Sequence, residues 1–172
     1  MPATYEPIAS QTLGSDVSEV TFSSIPGTFT DLVVVAQTRT SEAATVSGLG
    51  LRLNGTTSTG FYSVTRLQGS GSAASSSRDS ASTETQSNGG VAPGNTATSN
   101  VFGTTVLHVM SYANTNVFKT VLWQSDDGAQ SLLRRSVTLF QSTSAITSLT
   151  LRPGAGNLKS GSTVSLFGLK AA

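Results

Sequence analysis

Few side chains in this sequence could do chemistry, and none comes with the partners that chemistry requires. His108 is the only histidine. An imidazole titrates near neutral pH and can act as a general base or a metal ligand. Either role needs a carboxylate, a nucleophile or further ligands beside it. The alternation of Val101–Tyr112 puts His108 on one apolar side with Phe102, Thr104, Val106 and Met110, so packing is the favoured reading. Asp126-Asp127-Gly128 supplies two carboxylates and a turn glycine, which suit calcium. It lacks the Asp-x-Asp alternation of a calcium loop, and a plain hairpin turn is favoured. Asp16, Glu42, Asp79 and Glu84 fall in separate loops. Gly48-Leu49-Gly50 opens a strand rather than a helix, so it is no phosphate loop. With no cysteine there is neither a disulfide framework nor a thiolate metal site. The sequence therefore predicts no catalytic residues, no cofactor site and no metal site.

Two groups could bind rather than react. Trp123, Tyr62 and Tyr112 could stack against sugar rings, although a lone tryptophan in a strand more often belongs to the core. Arg134-Arg135 places one guanidinium on each face of its strand, so that either one is buried or at a subunit contact, or both are solvated near a strand end.

The elements that must carry these residues are strands throughout. The organising stretch is Val20–Thr38, where an alternating segment runs to Pro26-Gly27 and the apolar run Leu32–Ala36 follows. Proline presets φ and glycine accepts φ > 0, so a hairpin turn is expected there, joining Val17–Ile25 to Phe29–Thr40. A continuous β-branched run reads as a strand covered on both faces. Ile8–Leu13 reads as a short edge strand. Gly48–Asn54 alternates with Leu49, Leu51 and Leu53 inward, and Asn54-Gly55 opens a long hairpin loop to Phe61–Leu67. Val101–Tyr112 and Val117–Gln124 form a hairpin across Asn-rich turn residues. Leu132–Gln141, Ile146–Arg152 and Thr163–Lys170 complete the set. No window has a helical period, and nine or ten closely spaced strands predict an all-β, jelly-roll-like antiparallel β-sandwich. The core is expected to hold Leu32, Val34, Leu51, Leu53, Val106, Leu139, Leu149 and Leu166.

The chain of 172 residues is expected to be a single domain over 1–172, interrupted by a Ser/Gly-rich insertion at 69–100. That insertion has few apolar residues with which to pack on its own core. Ordering each backbone residue costs ~1–2 kcal/mol, so its order is expected to come from pairing within the fold or, the favoured reading, from contact with a neighbouring subunit. On that reading, deleting Gly71 to Thr96 leaves a folded domain that has lost its binding.

Net charge of +1 lacks the basic footprint of a nucleic-acid binder. Serine (28) and threonine (25) dominate, while only 11% of residues are charged, against about 25% in ordinary domains. Such a surface suits burial in an assembly or contact with sugars. The N-terminal residues lack the pattern of a signal peptide, and no apolar run reaches the ~20 residues of a membrane helix. Synthesis and folding in a cytoplasm, with no membrane partner, are expected.

The combination of segments carries more than any one residue. Tyr5-Glu6-Pro7-Ile8-Ala9, Thr12-Leu13-Gly14-Ser15, Val20-Thr21-Phe22-Ser23-Ser24-Ile25-Pro26 and Phe29-Thr30-Asp31-Leu32 stand at one end. Arg135-Ser136-Val137-Thr138-Leu139, Ser142-Thr143-Ser144-Ala145-Ile146-Thr147-Ser148-Leu149 and Ser165-Leu166-Phe167-Gly168-Leu169-Lys170-Ala171-Ala172 stand at the other. Together they resemble a family of small virion proteins of tailed bacteriophages, several from cyanobacterial hosts. The resemblance implies a jelly-roll-like sandwich in the particle and brings no catalytic residues. The expected role is a capsid decoration (cement) protein, a homotrimer that stabilises the head against the major capsid protein. The alternative is a tail-fibre or head-fibre module that binds a host receptor or sugar, which requires an exposed aromatic platform.

Overall fold

In a computed structural model of the chain, residues 5–82, 89–128 and 132–170 are described, so that Glu84 lies outside them. They form an antiparallel β-sandwich of two sheets, jelly-roll-like in character. The larger sheet contains β1 (Tyr5–Thr12), β3 (Asp31–Thr38), β5 (Tyr62–Gly69), β6 (Ala74–Ser82), β8 (Gly103–Met110), β9 (Lys119–Asp126), β10 (Leu133–Phe140) and β12 (Thr163–Leu169). Its spatial order is β1-β12-β3-β8-β9-β10-β5-β6. The smaller sheet contains β2 (Val20–Phe22), β4 (Val46–Leu53), β7 (Gly90–Pro93) and β11 (Leu149–Pro153), in the order β2-β11-β4-β7.

The core lies between the sheets. Leu32, Val34 and Ala36 of β3, Leu107 and Val109 of β8, and Leu166 of β12 meet Leu49, Leu51 and Leu53 of β4 and Leu149 of β11. Alternation is what permits this, because each strand sends every second side chain to the covered face. The β4 leucines, Leu32, Val34, Leu149 and Leu166 all sit where alternation places them. Val106 and Leu139 do not. Both are only half-buried, and Leu107, Val109 and Phe140 take the interior instead. In β8 both faces are apolar, so local pattern could not say which one the second sheet covers. β3 departs in the same way: Val33 is buried but Val35 is exposed, so this strand is covered fully on one face only.

The connection at Pro26-Gly27 is not a hairpin. β2 pairs with β11, whereas β3 pairs with β12 and β8, so the chain crosses from one sheet to the other there. Buried Tyr112 holds that crossing, its hydroxyl donating to the Pro26 carbonyl and accepting from the Phe29 N–H at 3.3 Å. Asn54-Gly55 makes a second crossing, with φ of 50° and 65°. The Asn54 amide donates to the Ala145 carbonyl at 2.8 Å and its Oδ1 accepts the Thr147 N–H at 2.8 Å. Turn chemistry identified both bends; long-range hydrogen bonds chose where they lead.

Two stretches of the insertion at 69–100 pair within the fold, the first of the two sources of order expected for it. β6 extends the large sheet beyond β5, and β7 joins β4 in the small one. A hydroxyl-rich strand needs only a sheet edge to satisfy its backbone. β7 is short and made of small residues, and Val91 and Ala92 are buried. Gly89 and Gly90 lie against the Trp123 ring, which an added Cβ would overlap at Gly89 and press tightly at Gly90.

Candidate functional site

The residues singled out for chemistry stay apart. His108 faces outward from β8, contrary to its expected place on the packed side, and its Nε2 lies 3.1 Å from Asp31 Oδ2. Asp31 Oδ1 accepts the Ser111 N–H at 2.6 Å, which secures the turn after β8, where Ser111 has φ of 50°. A carboxylate orients the imidazole here, but among the described residues no hydroxyl bonds to the other ring nitrogen. The arrangement clamps a turn. Asp126 and Asp127 also hold backbone: Asp126 Oδ1 accepts the Thr104 N–H at 3.4 Å, and Asp127 Oδ1 accepts the Leu132 N–H at 3.1 Å. Among the described residues no three His, Cys, Asp or Glu side chains group as metal ligands would.

The three aromatic candidates are interior. Trp123 is 2% exposed, and Tyr62 and Tyr112 are fully buried. Trp123 Nε1 donates to Thr138 Oγ1 at 3.0 Å, and the Tyr62 hydroxyl accepts the Leu53 N–H at 2.9 Å. They form no open stacking platform. The arginine pair divides as its spacing implies. Arg134 turns inward, donating from Nη2 to Gln68 Oε1 at 2.8 Å and from Nη1 to the Gly90 carbonyl at 3.3 Å. Burial, with the nearby Arg66 charge, pushes its pKa down. Arg135 is exposed and donates to Gln124 Oε1 at 2.9 Å.

What the structure does assemble is an apolar surface on the outer face of the large sheet. Strand register aligns Val33, His108, Leu122, Val137 and Thr65 in one row across five strands. The next row is Val35, Val106, Gln124, Arg135 and Leu67. Leu67 is 58% exposed, Leu133 49%, Val137 47% and Leu122 40%. Between them runs a groove of about 330 Å³ bordered by Thr65, Leu67, Leu122, Arg135 and Val137. Leu67 and Arg135 also border a second depression of about 190 Å³ with Ala74 and Leu133. Sequence reasoning missed this surface because it assigned Val106 and Leu139 of the same face to the core. The signal was present: β8 and β10 carry apolar residues on both faces, and only one face can be inside.

Two buried cations were also missed. Lys119 is fully buried, and its ammonium donates to the carbonyls of Asn114 (2.5 Å), Val117 (2.7 Å) and Thr143 (3.1 Å). Burial lowers its pKa. Arg39 is 6% exposed and is held wholly by backbone carbonyls of the segment after β7.

No protein-family model and no curated protein matches this chain. Among solved structures, it is similar to a galectin of Caenorhabditis elegans at 12% identity and a TM-score of 0.36, covering 98% of this chain and 96% of that one. It is also similar to an alginate lyase at 10% identity and a TM-score of 0.29, covering 94% of this chain and 79% of that one.

Proposed function

We propose that this chain is a bacteriophage virion structural protein, a capsid decoration protein that docks on the major capsid protein through the outer face of its large sheet. The observation that supports this most is the size of that uncovered apolar face. Strands spaced about 4.8 Å and rising about 3.3 Å per residue give β3, β8, β9, β10, β5 and β6 together a face of roughly 750 Å². A stable interface buries about 800 Å² per partner, so the whole face, on which Leu67, Leu122, Leu133 and Val137 are interspersed with Thr65, Gln124 and Arg135, is of the size that one partner covers. Among the described residues no segment covers this face. The face also carries two exposed cations, Arg135, which leans on the neutral Gln124, and Arg78 of β6, opposite Thr65. Its partner is accordingly apolar, with carboxylates or other acceptors placed to meet these two arginines. The sequence resemblance to small virion proteins supplies the particle, and a homotrimer is the proposed form.

The test is decoration of heads stripped of this protein, from the phage that encodes it. Added wild-type chain should bind at defined occupancy and measure as a trimer by light scattering. Leu67→Asp combined with Val137→Asp should fold with unchanged circular dichroism and lose occupancy. Full occupancy by that variant would remove the outer face from the docking role, and no binding by the wild type would remove the capsid.

The sugar-binding fibre reading required an exposed aromatic platform. Trp123, Tyr62 and Tyr112, the residues proposed for it, are buried.

A further inference from the structure

A second concavity lies at one end of the sandwich, where the segment after β7 meets the connection from β11 to β12. It encloses about 250 Å³ and is bordered by Arg39, Asn95, Ser99, Asn100, Phe102 and Lys159, with Ser160 at its rim. Its wall is mostly polar: two cations, two amides, hydroxyls and one aromatic ring.

The cleft is built around Arg39. Its Nη1 donates to the Thr98 carbonyl at 2.5 Å and the Val101 carbonyl at 3.0 Å, and its Nη2 to the carbonyls of Ala97 (2.8 Å) and Asn95 (3.3 Å). These bonds wrap residues 95–101 around the guanidinium and fix the cleft wall. Carbonyl dipoles solvate the charge without neutralising it. Lys159 is tied to the same structure: its N–H donates to the Arg39 carbonyl at 2.8 Å and its Nζ to Asn95 Oδ1 at 3.1 Å. Neither cation has a carboxylate partner among the described residues. Asp16, at the same end of the sandwich, is engaged with the Ser160 N–H at 2.9 Å. A cleft walled by one sign of charge focuses potential and draws the opposite sign.

We infer that this cleft binds an acidic sugar residue. The two cations call for an anion, and a guanidinium and an ammonium together suit a carboxylate. A bare ion would not use the rest of the wall. Asn95, Asn100, Ser99 and Ser160 supply amide and hydroxyl groups that both donate and accept, as ring hydroxyls require. The half-buried Phe102 ring offers an apolar wall for the C–H face of a pyranose. The volume is below the ~300–1,000 Å³ of drug-sized sites, which fits a single sugar unit. Arg39 acts from beneath by charge, because its terminal N–H groups are already committed. Lys159 makes the direct contact, since one hydrogen bond to Asn95 leaves its ammonium two further donors.

The experiment is an amide NMR titration of the full chain with digalacturonate, its neutral digalactose counterpart and sodium sulfate. Digalacturonate should shift the amides of residues 95–102, 159 and 160 saturably, and digalactose at least about tenfold more weakly. Lys159→Gln should weaken digalacturonate about tenfold while its unfolding midpoint stays unchanged. Asn100→Ala should weaken the sugar and leave sulfate unaffected. Equal binding of digalactose would overturn the role of charge, and sulfate binding as tightly as digalacturonate would overturn the sugar. No shift at ~50 mM digalacturonate would overturn both. The outcome is independent of capsid docking, which uses the other face.

Discussion

His108 Nε2 and Asp31 Oδ2 stand 3.1 Å apart although 77 residues separate them in the chain. Asp31 opens β3 and His108 lies near the end of β8, and antiparallel pairing of Val33 with His108 brings the two side chains onto one outer face. The same carboxylate takes the Ser111 N–H, so one side chain ties strand to turn. This is a joint between neighbouring strands at the edge of the apolar face.

The two residues should therefore cost different amounts. His108→Ala removes one partly exposed side-chain hydrogen bond and should destabilise by under ~1 kcal/mol. Asp31→Ala also strips the turn of its acceptor and should cost ~1–2 kcal/mol more. Urea unfolding of both variants measures the difference; equal costs would mean that the Ser111 bond contributes nothing.

Faces of β8 can be separated by paired substitutions. Leu107→Ala should destabilise by ~2–4 kcal/mol, as should Leu32→Ala on β3, because both side chains are fully buried. Val106→Ala, on the outer face, should cost under ~1 kcal/mol. A larger loss at Val106 than at Leu107 would reverse the assignment of the faces.

Removal of β7 should expose the core. Deleting Gly71 to Thr96 takes away β6, β7 and the glycines lying on Trp123, so the truncated chain should fail to fold cooperatively. Val91→Asp is the milder test, since it places a charge at a buried site. Trp123 fluorescence should shift to the red in both. A folded deletion variant with unchanged emission would show that the small sheet does not need β7.

Stability should bend twice in the alkaline range. Lys119 has its folded pKa lowered by burial from an ordinary 10.5. Between the lowered value and 10.5 the unfolded chain binds more protons, so stability rises with pH across that window. Tyr112 has its folded pKa raised from 10.0 by burial, with the Phe29 N–H opposing. Its contribution is complete below 10.0 and is lost as pH climbs through the raised value. Urea midpoints from pH 8 upward should show the rise disappear in Lys119→Met and the fall soften in Tyr112→Phe. Wild-type and variant curves of the same shape would exclude these two groups as the cause.

The sequence by itself determined that the chain is all-β, where most strands lie, and that Leu49, Leu51 and Leu53 point the same way. Those properties are local: a period of two and a turn residue act over a few positions. It also placed Arg134 and Arg135 on opposite faces, since neighbours on a strand must face opposite sides, while leaving open whether either was buried. Which side is inside was decided only by the tertiary structure. Val106 and Leu107 are equally apolar, and their fates differ because β4 and β7 cover one face of β8 and leave the other open. The destinations of the crossings after Ile25 and Asn54 were likewise set by distant partners, the Tyr112 hydroxyl and the Ala145 and Thr147 backbone. So were the Asp31–His108 joint and the cleft around Arg39. Each joins groups remote in sequence, and hydrogen bonds and burial at such range depend on which strands meet, a relation that no local spacing encodes.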